Sequence, residues 1–319
     1  MNLPAGYTAR SVRYPDDVDR ISDFLQGCDV ADVGFAEPVK DWVRMDLREP
    51  RWDREHDRKL VFTSDGFLAG FGNCTWDPGS WVSSYTRVHP EHRGRGIGSW
   101  FLEWAEARAV DHVAAGAKPL LHVFFPAPDL AARDLVQARG FTKVRTEWCM
   151  ERPLTDLEPA PQTPRGFEFR RMRDPEDLEI LHACISEGFS EHFGYWQQDF
   201  DEWREEWRAS PSYDPGLTLL AWEGQTLVGA VMSMEVEGVA WISDLAVLKP
   251  WRGKGIGRAL LKQMFALLAA RGRTEVRLFV DAGNETGATR LYERAGMRIR
   301  REEHTYQKPL PSSGRRAGS

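Results

Sequence analysis

The chain has 319 residues, 42% hydrophobic and 28% charged, which is ordinary globular composition and more chain than one small domain needs. Its formal net charge of -6, with bases interleaved among acids, argues against a nucleic-acid partner, because phosphate-backbone binding needs a concentrated basic face. No apolar stretch approaches the roughly 18 residues that span a bilayer, and MNLPAGYTAR lacks the apolar core of a secretory signal, so a cytoplasmic protein with no membrane partner is expected.

The first recognisable stretch is VRYPDDVDRI, around Pro15. An apolar run ending at Val88 leads into HRGRGIGSWFL, a Gly-rich turn formed by Arg93, Gly94, Arg95, Gly96, Ile97 and Gly98 that opens an amphipathic segment. LVQARGF then reads as a helix end closed by Gly140. PLTDLEPAPQTPRG, residues 153–166, holds four prolines and little apolar content, the composition of a linker.

Beyond the linker the pattern returns. Pro175 in MRDPEDLEIL lies 160 residues after Pro15, Arg252 lies 159 after Arg93, and Gly296 lies 156 after Gly140. Three matches in one order at a nearly constant offset make the chain two copies of one domain. The expected boundaries are 1–155 for the first copy, 156–165 for the linker and 166–310 for the second copy. The polar PSSGRRAGS end, 311–319, is expected to be disordered.

In the second copy EDLEILHACISEGF has helical period, and FDEWREEW puts Phe200, Trp203 and Trp207 on one helix face. LTLLAW, a Glu-Gly-Gln turn and TLVGAVMSMEV read as a hairpin, with VAWISDLAVL as the next strand. After WRGKGIGRALL, the residues Ile256, Leu260, Leu261, Met264, Leu267 and Leu268 mark an apolar helix stripe. VRLFVDA, TGATRLYERAG and MRIRREEHTYQ then read as strand, helix and strand. The result is an α/β domain whose mixed, mostly antiparallel sheet starts as a meander and finishes through crossovers.

Glycines 253, 255 and 257 allow a sharp turn with close backbone approach, and their place between strand and helix leaves N–H groups unpaired at the positive end of a helix dipole. That is a phosphate or pyrophosphate site. The spacing fits neither the dinucleotide fingerprint nor a Walker loop, which needs Gly-Lys-Ser/Thr. Arg-x-x-Gly-x-Gly after a strand does match, and on these residues each copy resembles the GCN5-related N-acetyltransferase (GNAT) family from end to end. It resembles the tandem members in particular, one of which acts on a cysteinyl amino-sugar.

The resemblance implies two splayed, helix-flanked sheets and acetyl-CoA, or another acyl-CoA, as acyl donor, with no metal. Donor-binding residues would be Leu245, Ala246, Val247, Arg252, Gly253, Lys254, Gly255, Ile256, Gly257, Arg258 and Asn284 in the second copy, and Val88 with Arg93 to Gly98 in the first. Tyr292 would protonate the departing thiolate, or else serve as a core aromatic. Asn284 would contact the donor's arm, or else cap the next helix. Counting back from the shared glycine, the first copy has Val136 and Pro128 at these two positions, so chemistry is expected mainly in the second copy.

An alkyl ammonium must lose a proton before it attacks, and its pKa lies near ~10. Asp244 is the first candidate base and Glu235 the second; either could instead anchor the ammonium or be an ordinary solvated carboxylate. A backbone N–H among residues 246–248 would meet the oxyanion. The segment 189–207, with Glu191, His192, Tyr195 and Trp196, would form a lid over a small-molecule amine, while Trp203 and Trp207 pack on the sheet. Cys28, Cys74, Cys149 and Cys184 are scattered and carry no assigned role. The other reading is an acyl-CoA sensor that binds without turnover. A monomer with a pseudo-dimeric pair of domains and a homodimer both remain open.

Overall fold

In the computed structural model, residues 2–49, 51–76, 81–112, 120–157, 162–193, 195–284 and 287–311 are described. The chain divides into two compact units: unit 1 is Met1–Glu147 with Arg301–Ser319, and unit 2 is Trp148–Arg300. Among the described residues no helix is long and apolar enough to cross a membrane.

The first copy runs β1 (Tyr7–Ser11), α1 (Val18–Val33), α2 (Lys40–Arg48), β2 (Arg58–Thr63), β3 (Leu68–Trp76), β4 (Trp81–Val88), α3 (Ile97–His112), β5 (Leu120–Pro126), α4 (Leu130–Ala138) and β6 (Thr142–Pro153). The second repeats that order as β7 (Glu168–Arg171), α5 (Leu178–Phe189), α6 (Phe200–Ala209), β8 (Thr218–Glu223), β9 (Thr226–Val236), β10 (Val239–Val247), α7 (Ile256–Ala270), β11 (Glu275–Asp281), α8 (Ala288–Arg294) and β12 (Arg298–Pro309).

Within unit 1 the strand order is β1-β2-β3-β4-β5-β12. All of these pairs are antiparallel except β4 with β5, which is parallel because α3 carries the chain back across the sheet. Within unit 2 the order is β7-β8-β9-β10-β11-β6, with β10 and β11 parallel after the α7 crossover. Strand alternation gives unit 2 two cores. Leu219, Val231, Ala240 and Ile242 face the α7 and α8 stripe, whereas Leu220, Ala230 and Met232 face Leu178, Leu181 and Cys184 of α5. Leu260, Leu261, Met264 and Leu268 of α7 are fully buried, each stabilising the fold by ~1.5–3 kcal/mol.

The entry to the first long helix is built the same way twice. Arg10 makes a two-point bond to Asp17, whose Oδ2 also accepts from the Arg13 N–H at 2.8 Å; Arg170, Asp177 and Arg173 repeat this at 2.7 Å.

The last strands differ from the expected division. Residues 303–309 of β12 pair with β5, from Glu303↔Pro126 to Pro309↔Leu120, so they belong to unit 1 and not to the second copy's 166–310 span. Conversely, Trp148–Pro153 of β6, expected in the first copy, belong to unit 2, where Met150 and Leu154 join the core and Leu154 N–H bonds Thr274. Of the expected linker, 158–161 lie outside the described residues, as do 312–319 of the expected tail.

Candidate active site

The site is set by a residue inserted into β10. Pairing with β9 runs Val239↔Val236 to Ile242↔Ser233, then resumes at Asp244↔Met232, leaving Ser243 as a bulge. Simple alternation from Ala240 and Ile242 would send Asp244 into the α7 core. With the bulge, Leu245 and Val247 join that core instead, and Asp244 is turned out of it.

The same strand then leaves its other neighbour. Pairing of β10 with β11 covers Ala240↔Val276 and Trp241↔Arg277, and none of the residues beyond Trp241 is paired. Leu248 N–H bonds the Val228 carbonyl at 2.9 Å, so Ala246 and Asp244 also turn their backbone groups toward β9, and Leu245 and Val247 turn theirs toward the gap. This is the splayed pair of strands expected, with backbone donors lining one wall.

At the head of the gap sits the Gly-rich turn. Gly253 and Gly255 have φ of 78° and 81°, and Gly255 is the N-cap of α7, which has no side-chain cap and no acid in its first turn. The first N–H groups of α7 are therefore open to an anion, and no Cβ or neighbour covers Gly253 or Gly255. Arg252 Nε donates to the Val247 carbonyl at 2.9 Å, tying the turn to the end of β10, and Lys254 lies 5.9 Å from the Phe167 ring. Lys249 holds Glu191 at 2.6 Å, while Arg252 reaches it at 4.0 Å. Gly257 meets Leu291 and Val247 at ordinary packing distance, which brings α8 beside the turn.

Tyr292, on α8, is 8% exposed. Burial first, and the nearby charge of Asp244 second, push its phenol well above the usual value, so it stays a proton donor at neutral pH. Asp244 is half-buried; loss of water raises its carboxyl, against a hydrogen bond from Ser243 that lowers it. Asp244 and Tyr292 thus lie within electrostatic reach of each other: a carboxylate reluctant to be charged and a phenol reluctant to lose its proton.

Glu235 is not brought there. It pairs across from Ala240, at the end of β10 where β11 is still attached, and its carboxylate accepts from Arg273 Nε at 2.8 Å. Asn284 closes a turn in which its N–H bonds the Asp281 carbonyl at 3.1 Å. It does not cap α8, whose N-cap is Gly287; residues 285 and 286 lie outside the described residues. Trp203 and Trp207 pack against the α5 core and against each other at 5.0 Å.

Two contributors escaped the sequence reading. Ser243 gave no composition signal, although a carboxylate at a core-facing parity position was a clue. Gly188 is the other: a Cβ there would lie 2.6 Å from that of Ala246, so glycine lets α5 close on the strand that lines the gap.

In unit 1 the turn is kept: Gly94 and Gly96 have φ of 72° and 90°, and Arg93 Nε donates to the Val88 carbonyl at 3.2 Å. Val136 stands where Tyr292 does, since Phe141 N–H bonds the Val136 carbonyl just as Met297 N–H bonds that of Tyr292, both at 3.0 Å.

The family described as Acetyltransferase (GNAT) family matches residues 29–141 and again 181–297. A mycothiol acetyltransferase of Thermobispora bispora is 35% identical over 82% of this chain and 87% of its own. The crystal structure of a GCN5-related N-acetyltransferase from Sphaerobacter thermophilus superposes with a TM-score of 0.85 at 31% identity, covering 98% of both chains. A tandem GNAT protein from the clavulanic acid biosynthesis pathway shares the fold, with a TM-score of 0.74 at 16% identity over 96% of this chain and 99% of that one. With the uncapped turn, the parted strands and the Asp244–Tyr292 pair in place, these matches make the chain an N-acetyltransferase that belongs to the GNAT family, in its tandem form.

Proposed function

We propose that unit 2 transfers the acetyl group of acetyl-CoA to the primary amine of a small molecule, by direct attack while both are bound. The observation that carries this reading is the gap beyond Trp241, which is lined by the Leu245 and Val247 backbone and flanked by Asp244, whose charge reaches the Tyr292 phenol. The turn and Arg252 suit a pyrophosphate, and the gap between β10 and β11 suits a narrow pantetheine arm. Acetyl-CoA supplies an acyl carbon activated by its thioester and a thiol leaving group.

Asp244 takes the ammonium proton, directly or through one water; its raised pKa makes it a stronger base than an ordinary carboxylate. The N–H of Val247 or Leu245 faces the negative charge that develops on the carbonyl oxygen. Tyr292 O–H donates its proton to sulfur as the C–S bond breaks, and returns to the phenol form by exchange with solvent. No enzyme nucleophile is required, and Cys184 is buried with its thiol pushed up to about 12, which leaves it inert.

The relatives' name, mycothiol acetyltransferase, makes a cysteinyl amino-sugar the first acceptor to try. The test is thiol release from acetyl-CoA with a panel of primary amines, beside calorimetric titration of acetyl-CoA. Release with at least one amine supports the reading. Binding with no release for any amine would favour the sensor, and absence of binding would remove both.

A further inference from the structure

The repeat is an internal control for charge as well as for chemistry. From β1 to β2 the copies keep an offset of 160, since α2 begins at 40 where α6 begins at 200, and β2 at 58 where β8 begins at 218. In unit 2 this stretch contains Asp174 and Asp214, each neutralised by an arginine, Arg208 and Arg271. Unit 1 has Tyr14 at the first position and Arg54 at the second, so one acid is lost and another is reversed in sign.

The consequence is a group of cations without counterions. Arg48, the counterpart of Arg208, meets a phenol where its twin meets a carboxylate. Its Nε donates to the Tyr14 hydroxyl at 2.7 Å and its guanidinium lies 5.8 Å from the ring centre. Arg54 lies 5.6 Å from the same ring. Among the described residues no carboxylate is within salt-bridge distance of Arg13, Arg48 or Arg54. Arg13 and Arg54 line a hollow of about 410 Å³, walled by residues 10–14 on one side and by Arg54 and Glu55 on the other, and Arg48 is bonded to its Tyr14. In a chain of net charge -6, such a concentration runs against the general trend. Two wall residues are also held in place: Asp17 fixes Arg10 at two points, and Arg48 donates to the Tyr14 hydroxyl.

We propose that this hollow is an anion site of unit 1 that takes a small phosphate-bearing molecule. Arg13 and Arg54 supply guanidinium forks, whose planar donors match phosphate oxygens in pairs. The hollow lies on β1 and the loop before β2, apart from the Gly-rich turn that opens α3, and does not depend on the acyl-transfer reading.

Pyrophosphate titrated calorimetrically into the full chain tests this, alongside Arg13→Ala/Arg54→Ala, Arg54→Asp and Arg252→Ala. Arg54→Asp installs the residue the other copy carries at that position, and both arginines are exposed, so unchanged thermal midpoints are expected. The expected result is a pyrophosphate site that survives Arg252→Ala, weakens at least about tenfold in either hollow variant, and weakens further with salt. Malonate, a dicarboxylate of similar size, should bind at least about tenfold more weakly. Pyrophosphate affinity unchanged in both hollow variants, no pyrophosphate binding at all, or malonate binding as tightly as pyrophosphate would each overturn the proposal.

Discussion

The two copies have the same Gly-rich turn anchored to the same strand end, yet what lies beneath it differs. Counting from Val88 and Val247, whose carbonyls hold Arg93 and Arg252, Tyr85 stands at the position of Asp244 and Arg87 at that of Ala246. β4 pairs with β3 without a register shift, so it has no counterpart of the Ser243 bulge. Its pairing with β5 runs from Trp81↔Leu120 on to Tyr85↔Phe124, and those two rings stack at 5.1 Å. The fully buried Arg87 binds Asp29, Asp32 and the Tyr85 hydroxyl. Where pairing in unit 2 stops at Trp241, that in unit 1 continues to the Asp244 counterpart Tyr85, beside a buried charge network. Even the turn is more covered: a Cβ at Gly96 would meet Pro4 at 3.0 Å, whereas one at Gly255 would meet nothing within 4 Å. The same Gly-rich turn thus stands over two different surroundings.

The comparison breaks most readily at Tyr292. Tyr292→Phe should lower kcat by about 10²–10⁴-fold with the KM for acetyl-CoA nearly unchanged, as expected for loss of a proton donor used only in the transition state. Val136→Tyr in unit 1 should leave steady-state rates as they are. Full activity in Tyr292→Phe would mean that sulfur is protonated from elsewhere.

Asp244→Asn should cost up to about 10²-fold in kcat/KM for the amine and abolish the acid limb of the pH profile. In the wild type that limb should lie above the ordinary carboxylate range, because burial raises the carboxyl. Stability should move the other way. A carboxyl with a raised folded-state pKa favours the folded form below its unfolded value, and that advantage is lost as pH rises through the folded value. The asparagine variant should therefore unfold at higher urea than the wild type at pH 8, and the difference should close as the medium is acidified. Equal midpoints at every pH would show that Asp244 is solvated like any surface acid.

Arg87→Ala should destabilise unit 1 by about 3–5 kcal/mol, because it strands Asp29 in the interior, while Asp32 keeps its two-point pair with Arg93. Burial already pushes the Asp29 carboxyl up, so the loss should shrink as the medium is acidified and the stranded Asp29 takes a proton. Urea unfolding followed at pH 8 and pH 5 reads this out, and kcat per folded molecule should be unchanged if the network only supports unit 1.

How much of this was legible in the sequence follows from which forces are local. The repeat, the order of elements and the Gly-rich turn depend on short-range spacing, and Tyr292 was placed by the family resemblance of TGATRLYERAG. The bulge could not be placed from the sequence, because VAWISDLAVL satisfies strand propensity throughout and only tertiary parity exposes the extra residue. The partners of β6 and β12 were hidden for a related reason: both are closing strands of the same repeat with similar patterning, so nothing within either dictates which unit takes it. Glu235 looked eligible because it lies on an adjacent strand, but register puts it at the closed end, where Arg273 already occupies it. Tyr85 and Arg87 were readable as letters, yet their meaning came only with Asp29, Asp32 and Phe124 around them.

The gentlest difference between the copies concerns the acid that each sets against its turn. Unit 1 uses Asp32, almost fully buried, which grips Arg93 with both oxygens at 2.7 and 2.8 Å and also binds Arg87. Unit 2 uses Glu191, just past α5, which is exposed, holds Lys249 and only approaches Arg252. A buried two-point pair cannot give way to an incoming anion without stranding charge, whereas an exposed pair exchanges readily because water already screens it. Glu191 would therefore compete with donor phosphates for Lys249 and Arg252. Glu191→Gln should lower the KM for acetyl-CoA by about two- to fivefold at low salt, and the gain should fade near 1 M salt as screening shortens to about 3 Å. Initial rates at two ionic strengths decide the matter: a KM unchanged at low salt would reduce the contact to an ordinary surface pair, while a fall that salt erases would mark it as a latch that unit 1 has replaced with a lock.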